Sequence, residues 1–434
     1  MRGVFFQSFA MRLFGAGMGF VTTVILSRLL GPAGFGPYAL AMGWLGVATL
    51  LTTMGFQHFT VRAIPPLIAR CQRHAVTGLV IFAFGVTSGL ALLAMLVTPA
   101  VVEHLELFSD PDMTSAVVAV GLLFLPVTIN QVRQGILRGL GCPLGAQFPE
   151  LVLQPTFFTA LIGLAMLVSW RLDAVRAIEL MLLSSAIGVG SGFWLLVPAL
   201  KRNLRWPPVF FPVSWLTRAG STFYLFAAST VMSATDLLML GHLSDAEETG
   251  IYGVATRFHL LMMLPSLATS STLSHEVSRL YALGKRGALE ATARRSATYA
   301  AFMSIAVALV CTMITFHLGA IFGAEFEAAA LPILILVWAR SVEVLLGQPG
   351  VILANTTFVG ISGAVVTIAA GLNVILNALL IPHFGSTGAA TATATSHLVL
   401  ASILTVLTLR KSKVVSLPFF RLPSLEKPPH GNQS

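Results

Sequence analysis

Charge is what this sequence has least of. Only 10% of its 434 residues are Asp, Glu, Lys or Arg, against about 25% in an ordinary soluble domain. Long stretches hold none of these residues, among them 29–61, 74–102, 151–170, 180–200, 296–324 and 344–409, the last 66 residues long. Such a chain cannot cover itself with water-binding groups. With 56% hydrophobic residues and a mean hydropathy of +0.85, it needs lipid as its solvent. Cysteine is scarce too. Cys71, Cys142 and Cys311 are odd in number and widely spaced, which excludes a disulfide framework or a thiolate metal site. They read as small apolar fillers. The histidines show no metal-ligand spacing such as H-E-x-x-H, and there is no G-x-x-x-x-G-K-[ST] loop to hold ATP. No Ser/His/Asp or paired-carboxylate constellation is readable. We therefore expect no enzyme, no metal and no cofactor. The first residues do not form a cleavable leader, because Arg12 interrupts their apolar stretch and no small-residue cleavage site follows.

What is present is apolar sequence in long runs. About 20 residues of helix cross a bilayer core, and the pattern predicts twelve spans: 6–28, 37–56, 76–98, 115–137, 150–170, 179–199, 217–241, 250–273, 296–322, 329–350, 357–381 and 388–409. Breakers separate several of them, as at Gly31-Pro32-Ala33-Gly34, Pro207-Pro208 and Pro382-His383-Phe384-Gly385. The runs are apolar all round, whereas an outer-membrane barrel alternates its faces, so the expected class is an all-α integral membrane protein.

Orientation follows from Lys and Arg in short connections. Arg62, Arg70 and Arg73, then Arg133 and Arg138, Lys201 to Arg205, Arg279 to Arg295, and Arg410 to Lys413 all fall on one side. The other side holds only Arg28, Arg171 and Arg176, among several acids. Both termini are then cytoplasmic, in a bacterial-type inner membrane. The net charge of +9 is dispersed over separate loops, so it is an orientation signal and excludes a nucleic-acid patch. Residues 414–434 read as a disordered cytoplasmic tail.

The chain also repeats itself. Gly36-Pro37-Tyr38-Ala39-Leu40-Ala41 aligns with Gly250-Ile251-Tyr252-Gly253-Val254-Ala255, a shift of 214, and at the same shift Gln134 meets Gln348. This divides the molecule into a six-helix lobe over 1–205 and a second over 206–413. Six is even, so both halves enter the membrane in the same direction. The lobes are then related by a pseudo-two-fold axis along the membrane normal, with a cavity between them suited to alternating access.

Three segments carry a resemblance. Residues 27–41, SRLLGPAGFGPYALA, resemble the helix 1 to helix 2 passage of the polysaccharide transporter family, the O-antigen-type flippases of the multidrug/oligosaccharidyl-lipid/polysaccharide exporter superfamily. Residues 236–257 resemble that family's helix 7 to helix 8 passage, and 372–390, LNVILNALLIPHFGSTGAA, its helix 11 to helix 12 passage. The resemblance spans the chain in order. It implies translocation of undecaprenyl-diphosphate-linked oligosaccharide from the cytoplasmic to the periplasmic leaflet, for O-antigen, exopolysaccharide or other surface polysaccharide, with a polymerase or ligase using the sugar outside.

Carrying an anionic headgroup through hydrocarbon calls for a polar, cationic cavity. Arg suits a diphosphate because its fork donates two parallel hydrogen bonds, and an ionisable residue deep in a span is costly enough to be a functional candidate. Arg340 leads the candidates, near the middle of the tenth span, with Glu343 three residues on. The plainer reading is a local Arg–Glu pair that makes the helix tolerable. Asp236 and Arg257, in the seventh and eighth spans, could pair with each other or meet substrate. Asp236 is the proton or cation site if transport is ion-coupled. Arg12 could snorkel to the surface or receive the headgroup. Asn373 and Asn377 share a helix face, and either bond neighbouring helices or meet sugar hydroxyls. Arg28, Arg133 and Arg218 read as interfacial anchors.

Two other classes compete. A multidrug extruder of the same superfamily shares the architecture, but its cavity should carry acids and aromatics for organic cations, and here the ionisable candidates lean basic. A lipid II flippase of the related family usually has more than twelve spans. A membrane-embedded polymerase or glycosyltransferase needs a large outer loop with catalytic carboxylates, and the longest here is about sixteen residues, near 99–114.

Overall fold

The computed structural model describes residues 2–356, 359–412 and 414–418, and among these every regular element is helical. That is what hydrocarbon imposes, since a helix satisfies its own N–H and C=O groups where no water can. Two helical traces, Arg2–Thr53 and Val359–Leu407, are far too long for one crossing, because 52 residues span about 78 Å against a core of about 30 Å. Each turns back at a glycine. Gly31 (φ 65°, ψ 176°) and Gly385 (φ 51°, ψ −131°) take positive-φ backbones that side chains with a Cβ rarely adopt. The reversal is visible in the bonds it allows. Asn373 Nδ2 donates to Thr393 Oγ1 at 3.3 Å, although a straight helix would hold them about 30 Å apart.

We label the crossings α1 (2–30), α2 (32–53, continued past a break at Gly55 by Phe56–Ala69), α3 (Arg73–His104), α4 (Pro111–Gly139), α5 (Pro143–Leu167), α6 (Ala174–Asn203), α7 (Pro212–Leu243, bent by 47° near its middle), α8 (Ala246–Ala282), α9 (Arg286–Thr315), α10 (Ala324–Leu345), α11 (359–384) and α12 (386–412). The fold is a twelve-helix, all-α membrane architecture of two six-helix lobes, α1–α6 and α7–α12. A non-helical segment, 204–211, passes between α6 and α7.

Several ends differ from expectation. Helix α2 runs to Ala69 and α8 to Ala282, past the predicted 56 and 273. Hydropathy marks where a helix leaves hydrocarbon, while the backbone continues helical into the interface with Arg62, Glu276 and Arg279 along it. Helix α3 extends to His104 and α4 starts at Pro111, so the predicted long outer loop shrinks to 105–110. Of the predicted tail, Val414, Val415, Ser416 and Pro418 are buried, with Val414 in a cluster with Leu273, Val277 and Ile352. Residues 419–434 lie outside the described residues.

The repeat reappears as reciprocal contacts between the lobes. A Cβ on Gly36 would lie 1.9 Å from the Ala246 carbonyl oxygen, and one on Gly250 would lie 2.1 Å from the Pro32 carbonyl oxygen. Gly36 and Gly250 are 214 apart, and so are Pro32 and Ala246. The same contact is thus made twice about a pseudo-two-fold axis, as in an isologous interface. A second pair follows. Arg28 Nη2 donates to the Ala320 carbonyl at 2.5 Å, and His242 Nδ1, again 214 residues on, bonds the Leu107 carbonyl at 2.7 Å. Together these contacts latch the lobes at the end where α1 turns into α2.

Gly36→Val or Gly250→Val forces this backbone contact apart, an overpacking that costs about 1–3 kcal/mol or more. Thermal unfolding of each variant in detergent should show a clear fall in Tm. Gly89→Ala, where a Cβ meets nothing within 4 Å, should show no fall.

Candidate functional site

Below the latch the seam between the lobes opens into two cavities, of about 280 and 310 Å³. One face of α8 positions the group they share. Gly250 and Gly253 pack against α2, a Cβ on Gly253 lying 2.6 Å from Ala39 Cβ. Arg257 follows seven residues after Gly250, on the same helical face, where the helices part. Its side chain lines both cavities. One is walled by Ala39, Gly43, Gly46, Asp236, Tyr252 and Thr393, the other by Gly19, Thr22, Tyr38, Glu150 and Gln154. Arg257 Nε is buried with no hydrogen-bond partner, and among the described residues the guanidinium has no ion pair.

Asp236 is 4% exposed. Its carboxylate accepts from Tyr252 Oη at 2.7 Å, Asn377 Nδ2 at 2.7 Å, Asn373 Nδ2 at 3.3 Å and Thr393 Oγ1 at 2.5 Å. Four donors are about what the two oxygens of an ionised carboxylate accept. Asp236 and Arg257 therefore line one cavity without bonding each other, and the expected choice between pairing and cavity resolves against pairing. Asn373 and Asn377 stand behind Asp236, and their buried Oδ1 atoms have no partner. The carboxylate and these oxygens are hard donors that suit a proton or a hard cation.

The other candidates fall elsewhere. Arg340 and Glu343 form a close ion pair, and Glu343 also faces His397 Nδ1 at 3.4 Å. Neither lines the two cavities; His397 and His259, rings 5.7 Å apart, stand between. The residue that led the sequence reading is thus already neutralised. Arg12 is partly buried near the start of α1, close enough to Arg138 for their charges to repel. Arg133, expected to be an interfacial anchor, is instead 0% exposed. It pairs with Glu150 at 3.3 Å and donates to Asn130 Oδ1 at 3.1 Å and to the Ala146 carbonyl at 3.4 Å. Gly192 makes the room, since a Cβ there would lie 2.3 Å from Arg133 Nε. Glu150, His259 and Thr393 were not singled out in the sequence, having no unusual local pattern, and Tyr252 entered there only as part of the repeat.

The internal repeat shows why the site is one-sided. The counterparts of Asp236, Asn373 and Arg257 at the 214 shift are Thr22, Thr159 and Gly43. Thr22 and Thr159 share a hydrogen bond of 2.7 Å, matching the Asp236–Asn373 bond in the second lobe. One lobe holds a neutral bond where the other holds a carboxylate, and a glycine faces the cavity where the other lobe sends an arginine.

Two lobes of six membrane helices with cavities in the seam between them place the chain among the polytopic transporters of the multidrug/oligosaccharidyl-lipid/polysaccharide exporter superfamily. Residues 2–274 match the family model for polysaccharide biosynthesis proteins, and 223–379 match that of MatE. The chain belongs to the polysaccharide biosynthesis protein family. It is 25% identical over 401 residues, 90% of this chain and 80% of the relative, to the probable low-salt glycan biosynthesis flippase Agl15 of Haloferax volcanii. Its fold is similar to that of lipid II flippase MurJ in an inward closed conformation, with TM-score 0.73, 12% identity and 94% and 87% of the two chains covered. It also resembles an inward-facing multidrug resistance MATE family transporter, with TM-score 0.65, 16% identity and 90% and 94% coverage.

Asp236→Ala leaves four donors in low dielectric without an acceptor and should cost several kcal/mol, whereas Thr22→Val removes one neutral bond worth about 1 kcal/mol. Paired thermal unfolding curves should show the larger fall in Tm for Asp236→Ala. Equal falls would contradict the asymmetry of the two lobes.

Proposed function

We propose that this protein is a flippase for lipid-linked, undecaprenyl-diphosphate oligosaccharide, passing the headgroup between the lobes while the tail stays in lipid. The family supports this reading, as does the likeness to flippases in sequence and in fold. The observation that carries it is Arg257, a half-buried guanidinium that lines both cavities and has no ion pair among the described residues. An uncompensated cation in a low-dielectric seam attracts an anion strongly, and the guanidinium fork matches phosphate oxygens. The cavity's carboxylates do not suit an organic cation, because Asp236 is ringed by four donors and Glu150 is held by Arg133. That argues against the extruder.

By the distribution of Lys and Arg, the protein sits in a bacterial inner membrane with both termini cytoplasmic, and the glycine latch closes the periplasmic end. Movement then follows alternating access, with the latch opening as the opposite end closes. Asp236, with the two amide oxygens behind it, is the place for a coupling proton or cation. The released sugar feeds a polymerase or ligase outside.

In proteoliposomes holding a fluorescent lipid-linked saccharide, Arg257→Ala should slow leaflet exchange by about tenfold or more, the loss expected for a charge-assisted contact. Arg257→Lys should keep part of the rate, since it restores charge without the fork. Unchanged exchange by Arg257→Ala at normal protein content, or efflux of cationic dyes by the wild type, would remove the proposal.

A further inference from the structure

A third cavity lies on the same seam, at the end opposite the latch. Helix α2 supplies Phe59, Arg62, Pro66 and Leu67, with Arg70 just past its end. Helix α7 supplies Ser214, Trp215, Arg218, Ser221 and Thr222, and Phe211 completes a hollow of about 440 Å³. Its wall is rigidly built. Segment 204–211 is strapped to α3 by Val209 N–H donating to the His74 carbonyl at 3.1 Å and by Thr77 Oγ1 donating to the Arg205 carbonyl at 2.9 Å. Trp215 is buried among Phe82, Phe210 and Phe211, at ring separations of 5.6, 6.5 and 5.9 Å. Nearby, α2 and α7 meet closely, with His58 stacked on Phe226 at 3.8 Å.

Arg62, Arg70 and Arg218 border this hollow, and no carboxylate lines it. Among the described residues none of the three side chains has a hydrogen bond or ion pair. All three are exposed, so water screens their mutual repulsion, yet three like charges around one hollow still favour an anion among them. Orientation in the membrane asks only for basic residues on one side, scattered anywhere along the loops. It does not ask for three around a single aromatic-walled cavity. Arginine forks fit phosphate, while Phe59, Leu67, Phe211 and Trp215 offer an apolar surface that a free inorganic ion has no use for. Two of the arginines belong to the first lobe and one to the second.

We propose that this cavity binds the phosphate group of a membrane lipid across the two lobes, tying α2 to α7 at the surface that carries the described chain ends. The site is separate from Arg257 and stands or falls without it.

The test is native mass spectrometry of the full chain released from micelles with equal phosphatidylglycerol and phosphatidylcholine. Phosphatidylglycerol should be retained over phosphatidylcholine, and Arg218→Gln or Arg70→Gln should reduce that preference by about tenfold, the value of a lost charge-assisted contact. Arg218→Lys should retain most of it. Arg286→Gln, an exposed charge at the start of α9, should leave it unchanged, and so should Arg257→Ala, which separates this site from the transport reading. Added polyprenyl diphosphate distinguishes the sources: phosphatidylglycerol that stays bound is a resident phospholipid, and phosphatidylglycerol that is displaced marks the site as one for diphosphate lipid. The proposal is overturned if the wild type shows no preference for phosphatidylglycerol, or if Arg286→Gln weakens it as much as Arg218→Gln.

Discussion

Hydrocarbon does not solvate charge, and the rest of this structure follows from that refusal. It forces the backbone into helices, and it makes each ionisable side chain in the seam answer for itself. Arg133 is answered by Glu150, and Arg340 by Glu343. Asp236 is answered by four neutral donors. Among the described residues Arg257 has no answer. This half-buried, unpaired cation stands where two cavities meet, which is the ground for reading it as a place for an anion.

Symmetry and its breaking locate that place. The two halves repeat closely enough that the Gly36–Ala246 and Gly250–Pro32 contacts are the same contact made twice. The repeat builds a seam that is tight at one end. Function requires the halves to differ, and at the seam they do. Thr22 becomes Asp236, Thr159 becomes Asn373, and Gly43 becomes Arg257. The glycine is as necessary as the arginine, because two arginines on the axis would repel each other in low dielectric.

Most of the architecture was legible in the sequence because it rests on composition. Charge-free runs mark crossings, and Gly31 and Gly385 sit within the breaker clusters that mark two of the turns. Helix ends were less legible, since α2 and α8 stay helical after their hydropathy falls. The candidate site was legible in part. Depth within a span raised Arg257 and Asp236, but it raised Arg340 higher, because a pair to Glu343 is a matter of rotamer and neighbour that spacing leaves open. Arg133 looked interfacial because its helix end lies close by, yet Gly192 on another helix opens a pocket that only tertiary packing creates. The shift of 214 was readable, and it sets Arg257 against Gly43, Asp236 against Thr22 and Asn373 against Thr159, but too many other positions differ for that comparison alone to pick them out.

The central claim is that the Arg257 guanidinium, lining both cavities between the lobes, receives the anionic headgroup. An experimental structure of the full chain with a polyprenyl-diphosphate saccharide bound tests it most directly. The account predicts diphosphate oxygens within about 3 Å of the Arg257 guanidinium nitrogens, the range of a charge-assisted hydrogen bond, with the Arg340–Glu343 pair intact. Diphosphate resting on Arg340 with that pair broken, or lying outside the seam altogether, would contradict it.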